Sequence, residues 1–380
     1  MSASYPIASL ADLADTARCP RLVIKVGSAL LVDEGGARRA WLTDLVRQIA
    51  AARGRGQDVI VVSSGAIALG ARTLGLEKGG RGSLADAQAA AAVGQIQLSG
   101  LWAELLAAHG LTAAQLLLTL EDLEDRRRYL NATATLTRLL DAGAVPVINE
   151  NDSVATQEIR FGDNDRLAAR VAQAARASAV LLLSDVDGLY DRHPREEGAV
   201  LLPVVHGITA EIRAMASPVS SSGMGSGGMI SKLQAAEIAN LAGIAMAIGN
   251  GAKDDPVARI LGGVGTLFLP AGRARRGRKV WLGGRLRLRG ALVVDAGAAR
   301  ALGQGASLLA AGITAVEGGF ERGDAVAIRD GAGVVLAHGL SEYSAAECLA
   351  LLGHQSADHA AILGYAPRSA IVHRDQMVMV

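Results

Sequence analysis

Aromatic residues are scarce in this chain of 380 residues: Phe, Trp and Tyr make up 3% of it, while half of it is hydrophobic. The core must therefore be built from Ala, Leu, Val and Ile, the makings of a sheet covered by Ala-rich helices. Cysteine is scarcer still. Cys19 and Cys348 fit neither a disulfide framework nor a CxxC metal site and read as reduced thiols. Seven scattered His and no spaced Cys/His set argue against a dedicated zinc site. An excess of one charge is missing too: 38 Lys and Arg face 37 Asp and Glu, which excludes a global nucleic-acid or membrane signature. No apolar run approaches the roughly 20 residues that span a bilayer. The opening MSASYPIASLADLADTARCP lacks the charged start and long apolar stretch of an export signal. The sequence reads as a soluble cytoplasmic protein.

What is present is a series of short, continuous apolar runs: RLVIKVG (21–27), DVIVVSSG (58–65), TAAQLLLT (112–119), AVPVIN (144–149), AVLLLSD (179–185) and GIAMAIGN (243–250). They do not alternate with polar residues, so both faces are expected to be buried, as in parallel strands. Helical patterns lie between them. WLTDLVRQIAAARGRG places Leu42, Leu45, Val46 and Ile49 on one stripe and ends in glycines. The expected fold is α/β, a three-layer αβα sandwich with a mainly parallel sheet, whose ligands gather at the strand C-terminal ends. The unusual polar clusters sit there: Gly27-Ser28, Ser63 to Gly65, Asn149 to Asp152, and Ser184-Asp185. Near residue 265 the pattern changes to an Arg-rich, Gly-rich stretch and then to brief strand-like pieces. The expected domains are residues 1–270, a basic linker at 271–284, and a small β-rich domain at 285–380.

Lys25, near the end of a buried strand and followed by Gly27-Ser28, suits a polyphosphate; it equally fits a strand-end Lys reaching for water. The segment SSGMGSGGMISK (221–232) precedes a helix, so its N–H groups can cradle phosphate, with Lys232 one turn in. It matches GxGxxG at Gly223, Gly225 and Gly228, but no apolar strand precedes it and no acid closes the next strand, which argues against a dinucleotide cofactor. HRD at 373–375 mimics a protein-kinase catalytic loop, yet Val380 stands where Asn is required. Ser184-Asp185 is either a plain turn or a hold on a base or ribose. The stretch INENDSVATQEIRFGDNDRLAAR (148–170) crowds carboxylates and amides together. Amides and hydroxyls of Asn149, Asn151, Asn164 and Ser64 can donate to a substrate carboxylate. Asp152, Asp163 and Asp165 can accept from an ammonium or orient the lysines. Helix capping and Asx turns account for some of these residues but not for the set.

Taken together, KVGS, VVSSGAIALG, AAVGQ, DRRRYLNATATL, VPVINENDSVA, GDND, SDVDGLY and SGMGSGGMISKLQAA resemble the amino acid kinase family, in its glutamate-phosphorylating branch. The match runs in order from about residue 21 to 252. The tail, ending AILGYAPRSAIVHRD, is similar to the PUA domain that many bacterial members append. The resemblance implies transfer of a phosphoryl group from ATP to the side-chain carboxylate of L-glutamate, the committed step toward proline, with Mg²⁺ as the metal and proline as a feedback inhibitor. Carried over by position, Lys25 and Lys232 neutralise the transferring phosphoryl group. Ser184, Asp185, Ser226, Gly227, Gly228, Met229, Ile230, Ser231 and Lys232 surround ATP. Ser64, Asp152 and Asn164 contact glutamate, and Asp165 organises the site. Which groups ligate the metal is left open. Ser226 and Ser231 stand where Thr is more usual in the family. A homodimer or homotetramer is the family habit. Kinases of acetylglutamate or aspartate are the nearest alternatives, though they usually lack the PUA domain. The arginines at 273, 275, 276, 278, 285, 287 and 289 raise RNA binding as a different reading. No aromatic platform interleaves them, and a solvated linker explains them as well.

Overall fold

A computed structural model describes residues 7–33, 35–154, 163–216, 228–270, 288–365 and 368–380. They divide into two compact units, Met1–Glu124 with Asn131–Ala274, and Asp125–Leu130 with Arg275–Val380.

The first unit is organised by an eight-stranded sheet. Its strands are β1 (Arg21–Val26), β2 (Asp58–Ser63), β3 (Ala113–Leu118), β4 (Val145–Glu150), β5 (Ala179–Ser184), β6 (Val204–His206), β7 (Ala245–Asn250) and β8 (Thr266–Leu269). Their order is β3-β4-β2-β1-β5-β7-β8-β6, and every pairing is parallel except β7 with β8. The apolar runs become strands because β-branched and Leu residues fit a pleated surface that is covered on both sides. The run at β3 departs from that expectation. It is an edge strand whose residues are mostly half-exposed, so continuous hydrophobicity alone did not distinguish edge from centre. TLFLP, which composition groups with the basic stretch, is strand β8.

The helices that cover the sheet are α1 (Arg39–Gly54), α2 (Ala66–Leu74), α3 (Leu84–Ala107), α4 (Arg126–Asp141), α5 (Asp163–Ala174), α6 (Met229–Leu241) and α7 (Pro256–Leu261). Side-chain alternation along β1 sorts them onto two faces. Leu22, Ile24 and Val26 share one core cluster with Leu42, Leu45, Val46 and Ile49 of α1, Leu98 and Trp102 of α3, and Ile260 of α7. Lys25 has the other parity and meets α5 through Asp165. A lysine in the middle of an apolar strand is thereby turned away from the first core and toward the helix starts of the opposite layer.

Helices α2 and α3 cross almost backbone to backbone. A Cβ at Gly70 would lie 1.8 Å from the Ala90 carbonyl oxygen, and one at Gly94 1.8 Å from that of Ala66. The crossing fixes the level of α3 against the end of β2.

The second unit holds a five-stranded sheet of β9 (Gly290–Val294), β10 (Ile313–Gly318), β11 (Ala325–Asp330), β12 (Val335–Leu340) and β13 (Met377–Met379), ordered β10-β9-β11-β12-β13. Leu292, Val326, Ile328, Phe320, Tyr343 and Ile371 fill its core. Among the described residues no helix is long and apolar enough to cross a membrane.

In an ordinary helix interior, Gly→Ala stabilises by roughly 0.5–1 kcal/mol. Gly94→Ala is expected to act in the opposite direction, costing about 1–3 kcal/mol because backbone must separate. Scanning calorimetry checks this; an unchanged or raised Tm counts against the crossing.

Candidate active site

The C-terminal ends of β1, β2, β4, β5 and β7 bring Gly27, Ser64, Asn151, Asp185 and Gly251 to one rim of the sheet. β1 is followed by β2 on one side and flanked by β5 on the other. Strand order reverses there, and α/β sheets open a crevice at such a point.

The centre of the crevice is a charge bridge. The Asp165 carboxylate, on the first turn of α5, lies 2.5 Å through Oδ1 from Lys25 Nζ and 3.3 Å through Oδ2 from Lys232 Nζ. Ser231 Oγ donates to the same Oδ2 at 3.2 Å. All three charged residues are buried. Burial pushes the Lys25 ammonium below the ordinary lysine range; Asp165 works against this and Lys232 adds to it. Burial would raise the Asp165 carboxyl, but the two ammonium groups prevail and hold it below its ordinary value of 3.8. Asp165 also benefits from the helix start, where backbone N–H groups favour negative charge.

Two buried cations against one anion leave the bridge net positive, and it lies where α5 and α6 begin. The arrangement suits an anion. Gly27 lies against the ammonium: a Cβ there would stand in ordinary contact, 3.7 Å from Lys25 Nζ. Gly228 caps α6, and Ser231 N donates to its carbonyl at 3.0 Å. Met229 is half-buried and Ile230 exposed in the first turn, and Lys232 is the fourth residue of the helix. Ser184 Oγ donates to Asp185 Oδ1 at 3.1 Å, and Asp185 is near enough to Lys25 to favour its charge. Ser226, Gly227 and the glycines at 223 and 225 lie outside the described residues, as do the side chain of Asp163 and the linker with its arginines up to 287.

The described residues of the acidic stretch after β4, 151–154 and 163–170, flank the same rim. Asp152 is buried in a short turn, Asp152–Val154. Ser64 sits where β2 ends, with its N–H donating to Val26 O at 3.0 Å. The neighbouring Ser63 hydroxyl accepts from Trp102 Nε1 at 3.0 Å. Asn149 and Asn164 are joined: Asn164 Nδ2 donates to Asn149 Oδ1 at 3.4 Å. This differs from the expectation that both amides present donors to a ligand, because Asn164 spends its nitrogen inside the protein.

Two residues here carry no signal in the sequence reading. Gln95 Oε1 accepts from Asn149 Nδ2 at 2.9 Å. Arg81 is half-buried, with burial lowering its pKa and the Asp152 charge opposing that shift. Gln95 lay within the quoted AAVGQ, but an amide in an Ala-rich helix looks like a surface position. Arg81 follows three residues in left-handed conformation, Lys78, Gly79 and Gly80, and the run EKGGRG resembles an ordinary loop.

Comparison with known proteins supplies the class. Residues 20–250 match the amino acid kinase family and residues 290–363 match the PUA domain. The chain belongs to the amino acid kinase family, with a PUA domain following the kinase domain, and is a kinase that uses ATP. It is 70% identical over 375 residues to the glutamate 5-kinase of Novosphingobium aromaticivorans, covering 98% of this chain and 99% of that one. To the glutamate 5-kinase of Sphingopyxis alaskensis it is 62% identical over 364 residues, covering 96% and 98%. To that of Zymomonas mobilis it is 55% identical over 364 residues, covering 95% and 91%.

Asp165→Asn leaves the two buried ammonium groups facing each other. Removing one partner of such a bridge is expected to cost about 3–5 kcal/mol. The pH dependence follows from Lys25. Its folded pKa is already depressed and falls further in the variant, so the unfolded chain binds more protons over the range between folded and unfolded values. Stability of the variant relative to wild type therefore rises as pH increases from 7 toward 10. Thermal unfolding across that range checks the sign; a deficit that does not change with pH would contradict it.

Proposed function

We propose that this chain transfers the γ-phosphoryl group of ATP to the side-chain carboxylate of L-glutamate, giving L-glutamate 5-phosphate, the first step of proline biosynthesis. The observation that carries the reading is the buried Lys25–Asp165–Lys232 bridge, two cations against one anion. The relatives' shared name supports the choice of acceptor.

The chemistry requires little of the protein beyond placement and charge. A glutamate side chain has a reference pKa of about 4.3, so its carboxylate is ionised at neutral pH and needs no general base. A carboxylate oxygen forms the new P–O bond, the bond from the γ-phosphorus to the β–γ bridging oxygen breaks, and ADP leaves with that electron pair. No proton moves. The difficulty is bringing an anion onto a polyanion, which positioning and cations overcome.

In this reading Lys25 and Lys232 offset charge on the phosphoryl oxygens, and Asp165 keeps both ammonium groups aimed and apart. The start of α6 presents the backbone N–H groups of Gly228, Met229 and Ile230 to the phosphates, with Ser231 beside them. Ser184 and Asp185 hold the nucleoside. Ser64, Asp152 and Asn164 take glutamate, with Asp152 opposite its ammonium. Mg²⁺, held largely through the nucleotide's phosphates, would reduce their negative charge. Proline shares the α-carboxylate and nitrogen of glutamate and would compete for the same pocket.

The test is an ATP/Mg²⁺ assay with hydroxylamine trapping of the acyl phosphate, run on glutamate, aspartate and acetylglutamate in parallel. Hydroxamate from glutamate alone is expected. Lys25→Ala and Lys232→Ala are each expected to lower kcat by about 10²–10³, the size typical of losing one group that stabilises transition-state charge. Near-normal turnover in either folded variant refutes the role given to that lysine.

A further inference from the structure

We propose that Gln95 is a positioning residue that sets the polarity of a chain of amides, so that an oxygen and not a nitrogen of Asn164 faces the substrate's α-ammonium. The inference deepens the glutamate reading and rests on it.

An amide side chain has a donor end and an acceptor end, and a row of them transmits direction. Gln95 Oε1 accepts from Asn149 Nδ2 at 2.9 Å. Asn149 must then turn its oxygen the other way, where it accepts from Asn164 Nδ2 at 3.4 Å. Asn164 therefore turns its nitrogen toward Asn149 and its oxygen away from it. That Oδ1 is buried and has no hydrogen-bond partner among the described residues. A buried acceptor without a partner is costly, and it marks a place where a donor belongs. Asn164 stands next to Asp165 and is the second residue of α5. An ammonium donating to Asn164 Oδ1 would satisfy it.

Gln95 can set this direction because it is itself held. Gly94, the residue before it, is pressed on the backbone of Ala66 and Gly70 and cannot retreat. Asn149 is fully enclosed, 2% exposed, so its amide has few other partners. A glutamine reading as helix surface therefore fixes, two amides away, which end of a zwitterion is accepted.

The test uses the full-length protein. Gln95→Leu removes the acceptor with little change of size, and Gln95→Met repeats the test should Gln95→Leu fold poorly. Gln95→Glu keeps an oxygen toward Asn149. The apolar variants are expected to raise KM for glutamate roughly tenfold, the scale of one misdirected hydrogen bond to a charge. Their KM for ATP and their kcat stay within about twofold, and Gln95→Glu returns KM for glutamate to within about threefold of wild type. The ammonium-specific readout is glutarate, which lacks the amino group: its inhibition constant is expected to be the same in wild type and Gln95→Leu. Equal loss for glutamate and glutarate would show a merely structural role and overturn the proposal, as would an unchanged KM for glutamate. Wild-type protein that gives no hydroxamate from glutamate would overturn the glutamate reading itself, and this inference with it.

Discussion

Two ammonium groups brought out of water onto the same face of a sheet repel each other, and a single carboxylate between them makes the arrangement tenable. Asp165 sits at the start of a helix, where its charge is favoured, and reaches Lys25 from the central strand and Lys232 from a second helix start. The bridge ties three distant parts of the chain together. Its two cations outnumber its one anion, and in the proposed reading that surplus is what a triphosphate would use. Stability and function thus depend on the same contact, because a charge that is only partly compensated inside the fold is available to a ligand.

The rest of the crevice is organised by shape more than by charge. Helices α2 and α3 touch through glycine, which brings α3 a side chain's thickness closer to the sheet end than a larger residue would permit. That closeness puts Gln95 within reach of Asn149, and Asn149 within reach of Asn164. In the proposed reading, the groups that hold phosphate and those that hold the amino acid meet at two adjacent residues of α5, Asn164 and Asp165. A small rotation of that helix start would disturb both.

Much of this was legible in the sequence. Strands read from continuous apolar runs lie where expected to within a residue or two, because residues buried on both faces leave a period-free signature that turns punctuate. Lys25 and Lys232 could be singled out because each interrupts a pattern: one an apolar strand, the other the start of an Ala-rich helix. Other features left no such trace. The edge position of β3 escaped notice because an edge strand half-covered by α3 has the same composition as a central one. Gln95 and Arg81 were missed because their significance lies in what faces them, and neither breaks the local pattern of its segment.

The sequence by itself determined the alternation of strand and helix, the placing of polar clusters at strand ends and the family to which they point, since these follow from local periodicity and from residue types at fixed spacing. The tertiary structure alone decided which residues meet. It turned Lys25 to the α5 face by strand parity, set one carboxylate between two lysines, and oriented a row of amides from a helix that periodicity marks only as Ala-rich. The physical reason is that charge compensation and hydrogen-bond direction are properties of pairs, and the partners here lie far apart along the chain.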